Sequence, residues 1–161
     1  KKGFSVKKLF FLLVFISVTL FGADIIGKEY KDLDLKQESC PIKTVSILKH
    51  KDWLGYVELK DGKIVALSSP KYAFAYMLIE QKKDDKSVLN VYVTDYKTKK
   101  IIDAKTAYYV FGSNIMSVGG DDVIPFALES DAKEFYKEKH GRQIYRFDRM
   151  TENFINYLDM R

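Results

Sequence analysis

Residues 100–136, KIIDAKTAYYVFGSNIMSVGGDDVIPFALESDAKEFY, constrain the fold of this chain more than any other stretch. Their hydrophobic pattern changes from period two to the helical period. They therefore read as strand, glycine-bearing loop, strand and helix. Residues 107–111 (AYYVF) and 123–128 (VIPFAL) are the strands. Pro125 has no amide hydrogen to donate, which puts the second strand at a sheet edge or a bulge. The connecting run, GSNIMSVGGDD, carries Met116 among three glycines. Residues 129–140 follow as a helix, with Ser130 as its cap and Ala132, Phe135 and Tyr136 at helical spacing. His140-Gly141 closes it.

The rest of the chain can be read outward from this block. Residues 24–39 are charged and lack a long apolar stripe, so they form an extended, partly ordered lead-in. Cys40-Pro41 ends it, because a proline disfavours helix at the residue before it. Residues 43–49 (KTVSILK) alternate and are β-branched, which predicts a strand. Residues 53–59 (WLGYVEL) and 63–67 (KIVAL) are two more, joined by the hairpin dipeptide Asp61-Gly62. Ser68-Ser69-Pro70 starts a helix through KYAFAYMLIEQ, with serine as cap and proline at the first helical position. Residues 88–94 and 143–147 are strands. Thr151 caps a last short helix with Phe154, Tyr157 and Leu158 on one face.

Two strand-to-helix corners resemble each other. Ala66-Leu67-Ser68-Ser69-Pro70 with Phe74 beyond, and Ala127-Leu128-Glu129-Ser130-Asp131 with Phe135 beyond, lie 61 residues apart. The repeat predicts an α+β fold of two tandem ββαβ units with mostly antiparallel sheets, plus a short C-terminal helix. The first unit spans residues 40–98 and the second residues 99–161.

The net charge of +5 over 161 residues hints at nucleic acid, but its source is local. Lys1, Lys2, Lys7 and Lys8 lie in residues 1–23, and without that segment 23 basic residues face 22 acidic ones. Little electrostatic support for a nucleic-acid partner is left. Residues 1–23 have the form of a secretory signal peptide: a basic start, the apolar run LFFLLVFISVTL, then Phe21-Gly22-Ala23 before Asp24. The apolar run is shorter than the ~20 residues that span a bilayer comfortably. Cleavage after Ala23 and a periplasmic location are expected, with membrane tethering as the alternative should the leader stay. Cys40 is the one cysteine, so an exported form has no internal disulfide and carries a leftover thiol.

Enzyme signatures are missing. There is no GxSxG elbow, phosphate loop or GxGxxG. No HxxxH or CxxC pair offers a structural zinc site. His50 and His140 fall in predicted turns, and Asp121-Asp122 reads as a turn or a weak cation site. What remains is soft chemistry. Cu(I) is satisfied by a few thiolate and thioether ligands, and Cys40, Met77, Met116, Met150 and Met160 are the sulfur side chains beyond the leader. Met77 reads as core, while Met150 and Met160 flank the last helix. Met116 sits in a glycine-flanked loop where packing does not call for methionine. Cys40 with Met116 is thus the candidate soft-metal pair, and the other reading of Cys40 is a small buried hydrophobe.

The second half resembles the NosL family, accessory proteins of nitrous-oxide reductase. The resemblance is carried by Asp103-Ala104-Lys105-Thr106-Ala107-Tyr108-Tyr109-Val110, Gly112-Ser113, Met116, Gly120, Ile124-Pro125-Phe126-Ala127, Asp131-Ala132 and Phe135. The first half is similar through its Cys-Pro pair, its D-G-K hairpin and its S-S-P helix start. The match covers roughly residues 38–150. It implies an exported Cu(I)-binding protein of two ββαβ units, without enzymatic activity, that delivers copper during assembly of the reductase. Its partners would be that client enzyme or a copper donor. The family's cysteine falls at Cys40 and its loop methionine at Met116, with His50 or His140 for a third position. Where relatives read C-P-x-C-G-M, this chain has Cys40-Pro41-Ile42-Lys43-Thr44-Val45. Where they read M-G-P-M-G, it has Met116-Ser117-Val118-Gly119-Gly120. The alternative is a metal-free interaction module of the same fold. A lyase of the organomercurial type, whose fold the family resembles, would need paired cysteines.

Overall fold

The structure, a computed structural model, describes residues 24–161, so the predicted signal peptide over residues 1–23 lies outside the described residues. Among the described residues seven strands form two antiparallel sheets. The first has the order β2-β1-β3-β4, from β1 (Gly55–Leu59), β2 (Ile64–Leu67), β3 (Val88–Thr94) and β4 (Ile101–Asp103). The second has the order β6-β5-β7, from β5 (Tyr108–Phe111), β6 (Val123–Phe126) and β7 (Gln143–Tyr145). The helices are α1 (Pro70–Lys83), α2 (Glu129–Glu138) and α3 (Glu152–Asp159). The first strand of each unit lies between the second and third in both sheets, so the two ββαβ units share one topology. β4 extends the first sheet by pairing with β3.

The repeat is real, but its register differs from the one read along the chain. β2 and β6 begin at Ile64 and Val123, and α1 and α2 at Pro70 and Glu129, an offset of 59 in both cases. Ala66 is therefore buried in β2, while Ala127 lies exposed in the turn before α2. The cap at Ser130 fails for the same reason. Leu128 occupies the cap position of α2 with no side-chain bond, and Ser130 lies inside the first turn. In α1 the expectation holds: the Ser69 hydroxyl accepts from the Tyr72 amide, and Pro70 begins the helix. His140, not Gly141, takes the left-handed conformation after α2, at φ 56°.

Residues 43–49 do not form a strand. A single antiparallel bridge joins Ser39 and Ser46, and the chain then coils into a 3-10 helix at Leu48–Trp53. The lead-in before it instead makes contact at both edge strands of the first sheet. Gln37 donates to the Ala66 carbonyl and accepts from its amide along β2. Residues 27 and 28 bond to Ile101 on β4. Sealed edges of this kind block pairing with another chain. Pro125 stands on edge strand β6, as its missing amide hydrogen requires, and the Tyr96 amide donates to its carbonyl.

α1 is wedged between the sheets. On one side its Ala73 lies against Gly55 of β1, where an added Cβ would come within 2.4 Å of the Ala73 methyl group. On the other side Phe74 meets Tyr109 of β5 edge-on, with centroids 5.6 Å apart. The first turns of α1 are buried nearly all round as a result, including Lys71. α2 covers the far face of the second sheet, packing Ala132 and Phe135 on Val110, Ile124 and Phe126. α3 is capped by Thr151 and buries Phe154, Ile155 and Leu158, while Tyr157 is partly exposed. Gly55→Ala is expected to destabilise the fold by about 1–3 kcal/mol, since helix or sheet must shift to admit one methyl group. A fall in the urea midpoint at unchanged slope would register it.

Candidate metal centre

Cys40 sits at the mouth of a tight loop. Its amide donates to the Val45 carbonyl and its carbonyl accepts from Thr44, which turns the chain at φ 57°. The loop aims the side chain inward, so Cys40 is 1% exposed and belongs to the main core. Its thiol is free. Met116 is the opposite case, at 60% exposure on the β5–β6 loop. A soft ligand is thus buried at one place and displayed at another.

The loop that displays Met116 is held from below. Ser117 and Gly120 exchange backbone hydrogen bonds of 3.0 and 3.1 Å, closing the turn just after Met116. The Ser117 hydroxyl donates to Asp122 Oδ2 at 2.7 Å and accepts from the Gly119 amide. Asp122 Oδ1 accepts from the amides of Lys71 and Val123. Lys71, fully buried, donates from Nζ to the Gly119 carbonyl at 2.7 Å and to the Leu158 carbonyl at 3.2 Å. Its ammonium also lies 3.7 Å from Asp159. One lysine therefore ties the start of α1, the methionine loop and the end of α3. Burial raises the Asp122 carboxyl above its ordinary range, against hydrogen bonds and the Lys71 charge, which pull it down.

Tyr72 lies next to this latch. Its ring edge presses on Gly119 so closely that a Cβ there would come within 2.4 Å of the phenolic oxygen. The side chain is buried, yet the hydroxyl has no hydrogen-bond partner among the described residues. Burial raises the phenol above its ordinary range, and the Asp159 and Asp122 carboxylates act in the same direction. The phenol thus stands against Gly119 of the methionine loop.

The remaining sulfur and imidazole candidates divide cleanly. Met77 and Met150 are core residues, and Met160 is exposed. His50 is half-buried in the kinked 3-10 helix, and its imidazole makes no hydrogen bond or ion pair among the described residues. His140 is exposed at the end of α2. Asp121 pairs with Arg161 at 2.7 Å. Among the described residues no group of three or more His, Cys, Asp or Glu side chains could hold a metal ion. Sequence reasoning missed Lys71 and Tyr72, and it read Asp122 as a turn or weak cation site, whereas its carboxylate is taken up by Ser117 and by the Lys71 and Val123 amides. Lys71 is one lysine in a lysine-rich chain, and nothing local marks it as buried.

Among the described residues no helix is long and apolar enough to cross a membrane. No curated protein matches the sequence. Among solved structures, the crystal structure of the copper chaperone NosL from Shewanella denitrificans is similar, with a TM-score of 0.64 at 22% identity, covering 75% of this chain and 96% of that one. At that identity the likeness carries the fold alone. A family model matches residues 33–155, which takes in the Cys40 corner, both sheets and the methionine loop, and the chain belongs to the NosL family.

Proposed function

We propose that this chain is an exported accessory protein that carries Cu(I) on Cys40 and Met116 and hands it on during assembly of nitrous-oxide reductase. The observation that carries this reading is that the family match takes in both soft ligands, Cys40 and the exposed Met116. Family membership supports the copper role, as does the name of the Shewanella denitrificans chaperone. Binding replaces the thiol proton of Cys40 with Cu(I) and releases that proton to solvent. The Met116 thioether completes a two-coordinate ion, and His50 is the candidate for a third position. A small ligand set with one exposed member suits transfer, because an incoming partner can displace the thioether first. The protein does no bond-making chemistry of its own in this reading, and the leader would deliver it to the periplasm.

The test is a Cu(I) titration of the chain against a competing chelator. One ion per chain is expected, with about a hundredfold loss of affinity in Cys40→Ala and about tenfold in Met116→Leu, matching the loss of a strong and a weak soft ligand. Stoichiometric binding that is unchanged in Cys40→Ala would overturn the site. A second reading, a metal-free interaction module, is favoured by the near-complete burial of Cys40. A thiol that stays unreactive in the native protein and reacts only on unfolding, with no protection by copper, supports that reading instead.

A further inference from the structure

Met116 is an exposed apolar side chain on a loop that is pinned on both sides of it. Before it, the Asn114 amide donates to the Lys139 carbonyl, and Ile115 packs against the cluster under α2. After it, Val118 packs against the main core, and Asp121 pairs with Arg161 at 2.7 Å. Met116 stands between these anchors at 60% exposure. The tightest of the anchors is a closed circuit of hydrogen bonds that starts at the residue next to Met116. The Ser117 hydroxyl donates to one oxygen of Asp122, and the other oxygen accepts from the Lys71 amide. The Lys71 ammonium donates to the Gly119 carbonyl at 2.7 Å, and the Gly119 amide returns to the Ser117 hydroxyl at 3.1 Å. Lys71 enters this circuit from α1, so the first ββαβ unit holds the loop of the second. A loop fixed in this way gives up its conformational freedom on folding, and little is left to lose when a ligand arrives.

We propose that Ser117 and Lys71 are positioning residues for copper, which hold the Met116 thioether where it meets the ion. The inference rests on the reading of Met116 as a Cu(I) ligand. Neither residue touches the metal. They act by fixing the backbone over residues 117–119, and a ligand group needs such support to keep its geometry. Opening the circuit leaves the sulfur in the chain and lowers the fraction of molecules that present it. The observed affinity falls with that fraction. The effect has a ceiling, because a residue that works only through Met116 costs no more than the loss of Met116 itself.

Ser117→Ala removes the hydroxyl that joins the loop to Asp122 and leaves Cys40 and Met116 in place. In the metal-free variant the amides of Ser117, Gly119 and Gly120, which are hydrogen-bonded within the loop, are expected to exchange faster while β5 and β6 stay protected. Measured against a competing chelator, Cu(I) affinity is expected to fall about threefold in Ser117→Ala and about fivefold in Lys71→Met. Both losses are expected to vanish in a Met116→Leu background, because the sulfur they position is gone. A merely structural role would give the same loss in both backgrounds, and that result refutes the proposal. If Met116→Leu weakens copper binding while Ser117→Ala binds like wild type, or if loop exchange is unchanged in Ser117→Ala, the positioning is refuted and the ligand stands. If Met116→Leu itself binds like wild type, the ligand and the positioning fall together. Ser117→Ala decides the outcome where Lys71→Met is too unstable to load.

Discussion

Lys71→Met is expected to remove about 4 kcal/mol of unfolding free energy, within the range for breaking one side of a buried charged interaction. The replacement keeps most of the aliphatic stem, so the loss comes from the ammonium. That group is the side-chain donor that reaches the carbonyls of both Gly119 and Leu158, and both lose it together. Each buried acceptor left without a donor costs about 1–3 kcal/mol. The loss should also be local in character. The Met116 loop and α3 share this tether, so amide exchange should rise in both while β1 and β3 stay protected. Urea unfolding with hydrogen exchange checks the result. A loss under about 1 kcal/mol would mean that the carbonyls find other donors once the lysine is gone.

Asp122→Ala is expected to cost about 3–5 kcal/mol, because it strands the amides of Lys71 and Val123, frees Ser117 and leaves the Lys71 charge less compensated. Asp122→Asn should cost much less, near 1 kcal/mol, since its carbonyl oxygen can still accept from both amides and Ser117 can reverse its hydroxyl. The pair also has a pH signature. The folded carboxyl titrates above the ordinary value of 3.8, so between that value and its folded one the native state binds more protons than the unfolded chain. Wild type therefore loses stability from this group as pH rises through that window, and the asparagine variant does not. The deficit of Asp122→Asn should shrink with rising pH and then level off. A deficit that grows instead would mean that the carboxyl is held low by its donors.

Much of the fold is legible along the chain, because its signals are local. The Ser69-Pro70 start, the Asp61-Gly62 turn and the Thr151 cap act within a few residues, and the structure keeps all three. Residues 43–49 misled for a non-local reason: alternation describes a face that could pair, and Gln37 already occupies the nearby edge of β2. The repeat was found at the wrong register because Ala66 and Ala127 match as letters while one is core and the other is turn. At the site, Cys40 and Met116 stand out by residue type. Lys71 and Asp122 do not, since an exposed lysine and a latch lysine read the same along the chain.

The sequence by itself determines the class of fold, the soft character of the candidate ligands and the family. These depend on periodicity, turn chemistry and which atoms are present. Only the tertiary structure decides that α1 runs between two sheets, and this one placement sets the rest. It buries Lys71, brings Tyr72 against Gly119, and leaves a phenol without a partner among the described residues beside the methionine loop. Burial depends on what packs around a residue from distant parts of the chain, and residue type records none of it.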